Sequence, residues 1–104
     1  ALVEMGAQVR EWRLHARTGM SLNDLADWIN PVVRGWINYY GRFYRSKLYP
    51  LLQRINTYLM RWAGKKYKRL RAYRRFTSWW FGIVDRNPEL FTHWRLVRTF
   101  AGLR

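Results

Sequence analysis

The stretch LYPLLQRINTYLMRW, residues 48–62, decides the fold. Its apolar residues recur every three or four positions and project within an arc of about 100° on a helix, which is typical of the core-facing side of an amphipathic helix. They are Leu48, Leu51, Leu52, Ile55, Leu59 and Trp62. Because proline is tolerated only near the start of a helix, Pro50 predicts that this helix begins at Ser46 or Tyr49. Gly64 is expected to weaken its end.

Capping and breaking residues predict three more helices upstream. The first spans residues 2–17 and stops before Gly19, which suits a left-handed C-terminal position. Ser21 is the predicted N-cap of the second helix, and Asp24, three residues later, forms a variant of the capping box. Asn30-Pro31 has the order of an N-cap followed by a first-turn proline, so the second helix should stop there and a third should begin at Pro31.

The third helix, which should end near Tyr44, carries two opposite faces. Its apolar face is expected to lie in the core and contains Val33, Trp36, Ile37, Tyr40 and Tyr44. Arg34, Asn38 and Arg45 project to the other side, with Arg42 nearby. That polar face can be a solvated surface, a stripe that contacts phosphates and sugars, or, for Arg34 and Asn38, a set of buried hydrogen bonds between helices. The net charge favours the phosphate-binding interpretation.

Downstream of the amphipathic stretch, a basic segment over residues 65–75 leads into the aromatic-rich residues 76–84. Residues 76–84 could form a strand, but no hairpin partner is visible. Asn87-Pro88-Glu89 repeats the cap-then-proline pattern and predicts a last helix over 88–98. In the pair Trp79-Trp80, one ring is expected in the core and the other on the surface.

Together these patterns predict an all-α, compact multi-helix bundle without a sheet. Residues 1–104 should form one domain, with a first helix at 1–17, a central part at 21–84 and a C-terminal helix at 88–98.

The charge indicates a polyanionic partner. Twenty Lys and Arg against six Asp and Glu give a net charge of +14, and no acid lies among the thirteen basic residues between Trp28 and Val84. Nucleic acid is the first candidate, an anionic membrane surface the second and an acidic protein the third. No apolar run approaches the roughly 20 residues of a membrane span. The absence of cysteine excludes disulfides and thiol chemistry.

No catalytic or metal site is predicted. His15 and His93 are the only histidines, and neither has a second ligand at metal-binding spacing. The serines have no histidine nearby, and no glycine-rich phosphate loop occurs. We therefore expect neither an enzyme activity nor a cofactor in this chain.

Two basic regions follow the third helix. Arg54, Arg61 and Lys65 fall within about 40° of one another on a helix and have no acid within four residues. Eight of the fifteen residues from Arg61 to Arg75 are basic and alternate with aromatic and apolar residues. The phosphate-binding candidates in this segment are Lys65, Lys66, Lys68, Arg69, Arg71, Arg74 and Arg75, and the base-stacking candidates are Tyr67 and Tyr73. The alternative is a mobile loop that repels itself.

The residues NPVVRGWINYY at 30–40 resemble the signature N-P-x-x-R-G-W-x-N-Y-Y/F of the maturase-specific domain of group II intron reverse transcriptases. The resemblance covers residues 21–80 well, and residues 1–17 less specifically resemble the preceding thumb helix. Signature positions are held by Arg34, Gly35, Trp36, Asn38, Tyr39 and Tyr40.

The resemblance implies a helical thumb that grips intron RNA to promote splicing and holds the template–primer during reverse transcription. The palm aspartates and the Cys-rich endonuclease module of the family lie outside this chain, so the resemblance implies no polymerase or DNA cleavage activity for it. The chain begins with Ala and is expected to be part of a longer protein. Expected partners are structured intron RNA, RNA/DNA template–primer, target DNA and the rest of the reverse transcriptase, without a membrane, in a bacterial cytoplasm or an organelle.

Two rival functions are open at this point. The first is a sequence-nonspecific or helix-turn-helix DNA-binding module, although the most basic segment is not a regular amphipathic helix. The second is a basic amphipathic protein of the membrane surface, for which Trp and Arg are suited. Several apolar faces that complement one another favour a packed core over a membrane.

Overall fold

The computed structural model describes residues 2–100 and contains three α-helices. They are α1 (Leu2–Trp12), α2 (Leu22–Lys66) and α3 (Tyr73–Arg86). Short 3₁₀ turns at Leu14–Ala16, Lys68–Arg71 and Thr92–Arg95 follow the helices in turn. Residues 2–100 contain no strand, which confirms the predicted all-α class. Residues 76–84 lie in α3, so their interpretation as a strand is excluded.

The predicted interruption of α2 at Asn30-Pro31 is wrong, because the helix runs through both residues. Asn30 does not cap a helix. Its side-chain amide donates to the Leu90 carbonyl over 2.9 Å and its side-chain oxygen accepts from the Thr92 N–H over 2.9 Å. Because these two long-range hydrogen bonds use both polar atoms of the Asn30 side chain, Asn30 does not cap a helix start at Pro31.

The boundary predicted between the third and fourth helices is present as a sharp bend. Tyr44 has non-helical dihedrals inside α2 (φ −130°, ψ 36°). A straight helix of 45 residues would be about 68 Å long, whereas the longest dimension of the chain is 39 Å. The bend therefore divides α2 into a first arm, residues 22–43, and a second arm, residues 45–66. Pro50 lies in the first turns of the second arm, as its sequence position predicts.

Helix α1 is shorter than predicted. It ends at Trp12, and Arg13 adopts a left-handed conformation (φ 50°, ψ 47°) before a 3₁₀ turn. In a straight helix, Trp12 and Leu14 would point about 200° apart, yet both are buried. The turn at Arg13 allows both side chains to enter the core.

The capping box at the start of α2 is confirmed. The Asp24 N–H donates to Ser21 Oγ over 3.1 Å, and the Ser21 N–H donates to Asp24 Oδ2 over 3.0 Å. The hydrogen bond from the Ser21 N–H to the Asp24 carboxylate lowers the pKa of Asp24, and the Ser21 hydroxyl lowers it further. The sequence rule works here because both partners lie within one turn.

The predicted C-terminal helix over 88–98 is wrong, since only the 3₁₀ turn Thr92–Arg95 forms there. Asn87 ends α3 instead of starting a helix, and its N–H donates to the Ile83 carbonyl over 2.8 Å. The following segment is held by its buried residues and not by helical periodicity. Its buried apolar residues are Phe91, Trp94, Val97 and Phe100.

The second arm of α2 forms the centre of the core. All six apolar residues of the decisive stretch are buried, which confirms the predicted face. Trp62 is also hydrogen-bonded, since its Nε1–H donates to the Arg17 carbonyl over 2.8 Å. An aromatic cluster adjoins this core, where Trp80 packs edge-on against Trp94 at 5.0 Å between ring centroids.

Trp36 and Tyr40 are only half-buried, and Tyr44 is exposed, so the predicted apolar face of the first arm is less buried than expected. Trp36 stacks on Trp12 of α1 at 5.6 Å between ring centroids. One ring of the pair Trp79-Trp80 is expected in the core, and Trp80 is the buried one. Trp79 is half-buried and packs near Phe76.

Asn56 is a buried polar residue that connects the second arm to residues 88–100, which we call the C-terminal segment. Its amide nitrogen donates to the carbonyls of Val97 (3.3 Å) and Thr99 (2.9 Å). Its oxygen lies 2.6 Å from His93 Nε2 and accepts from Trp94 Nε1 over 3.2 Å. Because the oxygen can only accept, His93 Nε2 carries the proton. Asn30 and Asn56 thus hold one short segment against both arms of α2.

Candidate nucleic-acid interface

The first candidate surface is a hollow of about 350 Å³ between the first arm of α2 and the C-terminal segment. We call it the signature hollow. Its lining residues are Arg34, Ile37, Asn38, Arg45, Thr92, Arg95 and Leu96. The lining contains three guanidinium groups and no acid, and its four long polar side chains are exposed. Such an arrangement fits phosphate oxygens, with the Asn38 amide available to a sugar or a base edge.

Three of the predicted residues, Arg34, Asn38 and Arg45, are therefore brought together, whereas Arg42 is exposed outside the lining of this hollow. Arg95 is a further member that the sequence did not predict. Its proximity to Arg34 depends on the hydrogen bonds of Asn30, which place the chain around Thr92 beside the first arm. The contact between Arg34 Nη2 and Thr92 Oγ1 is long, at 3.5 Å.

These positions also separate the roles of the two asparagines in the signature. Asn30 provides the tertiary hydrogen bonds between helix and C-terminal segment. Asn38 is exposed on the wall of the hollow. The geometry therefore favours a binding role for Asn38 and a structural role for Asn30.

The second candidate surface lies at the end of the second arm, where Arg61 and Lys65 meet the turn after α1. The Arg61 guanidinium lies 5.8 Å from the centroid of the Tyr58 ring, and His15 stacks on that same ring at 5.5 Å. Burial lowers the pKa of His15, and the positive charges of Lys65, Arg13 and Arg61 lower it further. Three cations thus lie near enough to one imidazole to act on its charge. We call this group the terminal basic face.

The predicted stripe of Arg54, Arg61 and Lys65 is thus divided between two environments. Arg61 and Lys65 join Arg13 and His15, neither of which was predicted as a site residue. Arg54 lies against α1, where its Nη1 would be 3.2 Å from a β-carbon placed on Gly6. Arg54 is nevertheless exposed, so it can pack against the helix and still face solvent.

The predicted basic segment, residues 65–75, contains the end of α2, a 3₁₀ turn and the start of α3. Leu70 is buried and anchors it, while six of its basic residues are exposed. Those six are Lys65, Lys68, Arg69, Arg71, Arg74 and Arg75. Lys66 differs from them, because its ammonium donates to the carbonyls of Thr18 (2.7 Å) and Met20 (3.2 Å). Its charge is partly engaged in holding the loop before α2.

Of the two tyrosines predicted to stack on bases, Tyr73 has the more open position. It lines a hollow of about 280 Å³ together with Arg61 and Arg71. Tyr67 is also exposed in part, but its ring packs edge-on against Trp62 at 6.2 Å. The basic segment and the second arm therefore share Arg61, which connects the terminal basic face to the hollow beside Tyr73.

Within residues 2–100 there is no group of three or more acidic or histidine side chains placed to hold a metal ion. No helix in that part of the chain is long and apolar enough to cross a membrane.

Comparison with known proteins is consistent with the signature at residues 30–40. No curated protein and no solved structure matched the chain. A family model did match: the group II intron, maturase-specific domain covers residues 2–80, about three quarters of the chain. This match includes α1, all of α2, the whole basic segment and α3 as far as Trp80. The chain belongs to the group II intron maturase-specific domain family.

Proposed function

We propose that this chain is the RNA-binding, non-catalytic thumb module of a group II intron-encoded reverse transcriptase. In this role it grips the folded RNA of its intron, which supports splicing and mobility, and it contacts the template–primer during reverse transcription. Its other partner is the remaining reverse transcriptase polypeptide. The observation that carries the proposal is the uninterrupted positive charge between Trp28 and Val84, which spans both arms of α2 and the basic segment.

The distribution of this charge suits a folded polyanion. The signature hollow, the terminal basic face and the exposed part of the basic segment are separate places at which phosphates can bind. A surface that served solubility alone would mix both signs of charge. Arginine also predominates in the signature hollow, and its planar fork binds phosphate oxygens through two hydrogen bonds. A folded RNA presents several backbone segments at once, so it can occupy more than one of these places.

The proposal predicts a strong dependence of RNA affinity on salt. About six phosphate contacts would give a slope of roughly −4 to −5 in a plot of log affinity against log salt concentration. Replacing Lys65, Lys68 and Arg69 with Ala should flatten the slope by about 1 for each lost contact. These three side chains are exposed, so the circular dichroism spectrum and the melting temperature should not change.

Binding would be measured with a folded group II intron RNA, a duplex DNA of equal length and anionic vesicles. We expect the folded RNA to bind most tightly in the presence of either competitor. Preference for the duplex DNA would support the DNA-binding alternative, and preference for vesicles would support the membrane alternative. An unchanged salt slope in the triple variant would remove the basic segment from the interface.

A further inference from the structure

The bend of α2 leaves an unusual surface that the proposed phosphate contacts do not use. Residues 42–47 are all exposed, on both sides of the non-helical Tyr44. Large rings near this bend are open to solvent, with Phe43 78 %, Tyr39 75 % and Tyr44 56 % exposed. We call the surface formed by Tyr39, Arg42, Phe43, Tyr44 and Lys47 the elbow.

The elbow rings are arranged beside recesses. Tyr40 lies between two hollows of about 360 Å³ each. One is lined in part by Gly35, Trp36 and Tyr39. The other is lined by Leu2, Val3, Tyr40, Tyr44 and Lys47. The Tyr39 and Tyr40 rings are 4.6 Å apart and meet edge to face, so the two hollows share an aromatic wall.

The charge at the elbow has one sign over most of its area. Tyr39, Arg42 and Phe43 are spaced i, i+3 and i+4 on the first arm, so their side chains share one face of the helix. Lys47 lines the second hollow beside Tyr44. The only acid that lines either hollow is Glu4, at the first one. A ligand that fits has flat apolar parts for the rings and negative charges for Arg42 and Lys47.

We propose that the elbow binds unpaired nucleotides of an RNA strand. Their bases stack on Tyr39, Phe43 and Tyr44 and enter the hollows beside Tyr40, while their phosphates contact Arg42 and Lys47. Alternation of exposed rings with cations is the arrangement by which proteins bind single strands without reading their sequence. In a duplex the bases are already stacked on one another and cannot lie on these rings. This inference rests on the proposed function, since it specifies which form of RNA one surface takes.

The test compares an unstructured oligouridine with a blunt-ended RNA duplex of the same strand length, each titrated with the full chain. Stacking contributes about 1–3 kcal/mol for each base, so Phe43→Ala and Tyr39→Ala should each weaken oligouridine binding by about five- to 150-fold. Binding of the duplex RNA should stay unchanged. Phe43→Tyr and Tyr39→Phe keep the rings and should bind oligouridine like the parent chain.

Phe81→Ala is the matched control, because Phe81 is an exposed phenylalanine (42 %) on α3 that lines neither of the elbow hollows. It should leave both affinities unchanged. As a second measurement, an oligonucleotide carrying 2-aminopurine should lose fluorescence on binding to the parent chain, because stacking quenches that base, and lose less on binding to Phe43→Ala.

Each contrary result has a definite meaning. Full oligouridine affinity in Tyr39→Ala and Phe43→Ala would overturn the elbow proposal, as would an equal loss in Phe81→Ala, while binding of folded RNA by the parent chain would leave the proposed function intact. Equal losses for oligouridine and duplex RNA, with unchanged melting, would overturn the stacking proposal, because they would show that the elbow contacts the RNA backbone and does not stack on bases. Failure of the parent chain to bind any RNA would overturn both proposals.

Discussion

The two arms of α2 have similar lengths but differ in how much of their surface is buried. The second arm places Leu48, Leu52, Ile55 and Leu59 in the core with almost no exposure. The first arm buries fewer residues and leaves Trp36, Ile37 and Tyr40 half-buried. The first arm supplies Arg34, Ile37 and Asn38 to the signature hollow and Tyr39, Arg42 and Phe43 to the elbow. Tight packing is thus concentrated in one arm, and the other is free to present polar and aromatic side chains.

The largest expected effect compares one tryptophan from each arm. Trp62→Ala should reduce the free energy of unfolding by about 3 to 5 kcal/mol, because it removes a buried ring and the hydrogen bond to the Arg17 carbonyl. That loss is enough to unfold a marginally stable domain. Trp36→Ala should cost less, since the ring is only half-buried against Trp12. Urea unfolding of both variants measures the difference, and equal losses would contradict the division between the arms.

A smaller effect concerns pH and the contact between the second arm and the C-terminal segment. Burial lowers the pKa of His93 from 6.5 to about 3. Because the folded state holds the neutral imidazole, stability is fully present above pH 6.5 and falls as the pH drops towards 3, by about 1.4 kcal/mol per pH unit at most. A further proton on Nδ1 would find no acceptor within residues 2–100.

Chemical denaturation at a series of pH values checks this dependence. In His93→Gln the slope between pH 6 and pH 4 should be smaller, even if the variant is less stable throughout. His15→Gln is the comparison. The pKa of His15 is also lowered, but His15 lies at the terminal basic face and not in the hydrogen-bond network of Asn56, so its loss should change the slope less than the loss of His93. An equal change of slope in His15→Gln would show that the loss of stability at low pH is not specific to His93.

The smallest effects on stability are expected on the first arm. Arg34→Ala and Asn38→Ala should barely change the melting temperature, because both side chains are exposed and Ala is a better helix former than Asn. Each should weaken binding to folded intron RNA, and Arg34→Ala should also reduce the salt slope by about 1. Arg95→Ala should behave like Arg34→Ala, since the two line one hollow.

Melting curves recorded beside binding curves separate the two roles. Asn30→Ala is the structural counterpart to Asn38→Ala, because it loses two hydrogen bonds to the C-terminal segment and should lower the melting temperature. A large fall in melting temperature for Arg34→Ala or Asn38→Ala, with normal affinity in the folded fraction, would make those residues structural and would move the RNA site to the terminal basic face and basic segment.

The sequence by itself determined the features that depend on neighbouring residues. The apolar face of residues 48–62, the capping box of Ser21 and Asp24 and the all-α class all follow from interactions within about one helical turn. The uninterrupted positive charge and the signature at residues 30–40 are likewise properties of the chain as written. Their grouping into an interface required knowledge of which helical faces remain exposed.

Only the tertiary structure decided which hydrogen-bond partner each side chain uses where the local pattern allows more than one. Asn30 and Asn87 have the same local cap-then-proline pattern, yet Asn30 bonds to residues about sixty positions away and Asn87 ends α3. The left-handed turn at Arg13 depends on burying both Trp12 and Leu14. Arg95 joins Arg34 only because Asn30 and Asn56 hold the C-terminal segment against α2. A local sequence pattern indicates which hydrogen bonds a side chain can form. In the folded chain the side chain forms the one that also pairs polar groups buried by packing.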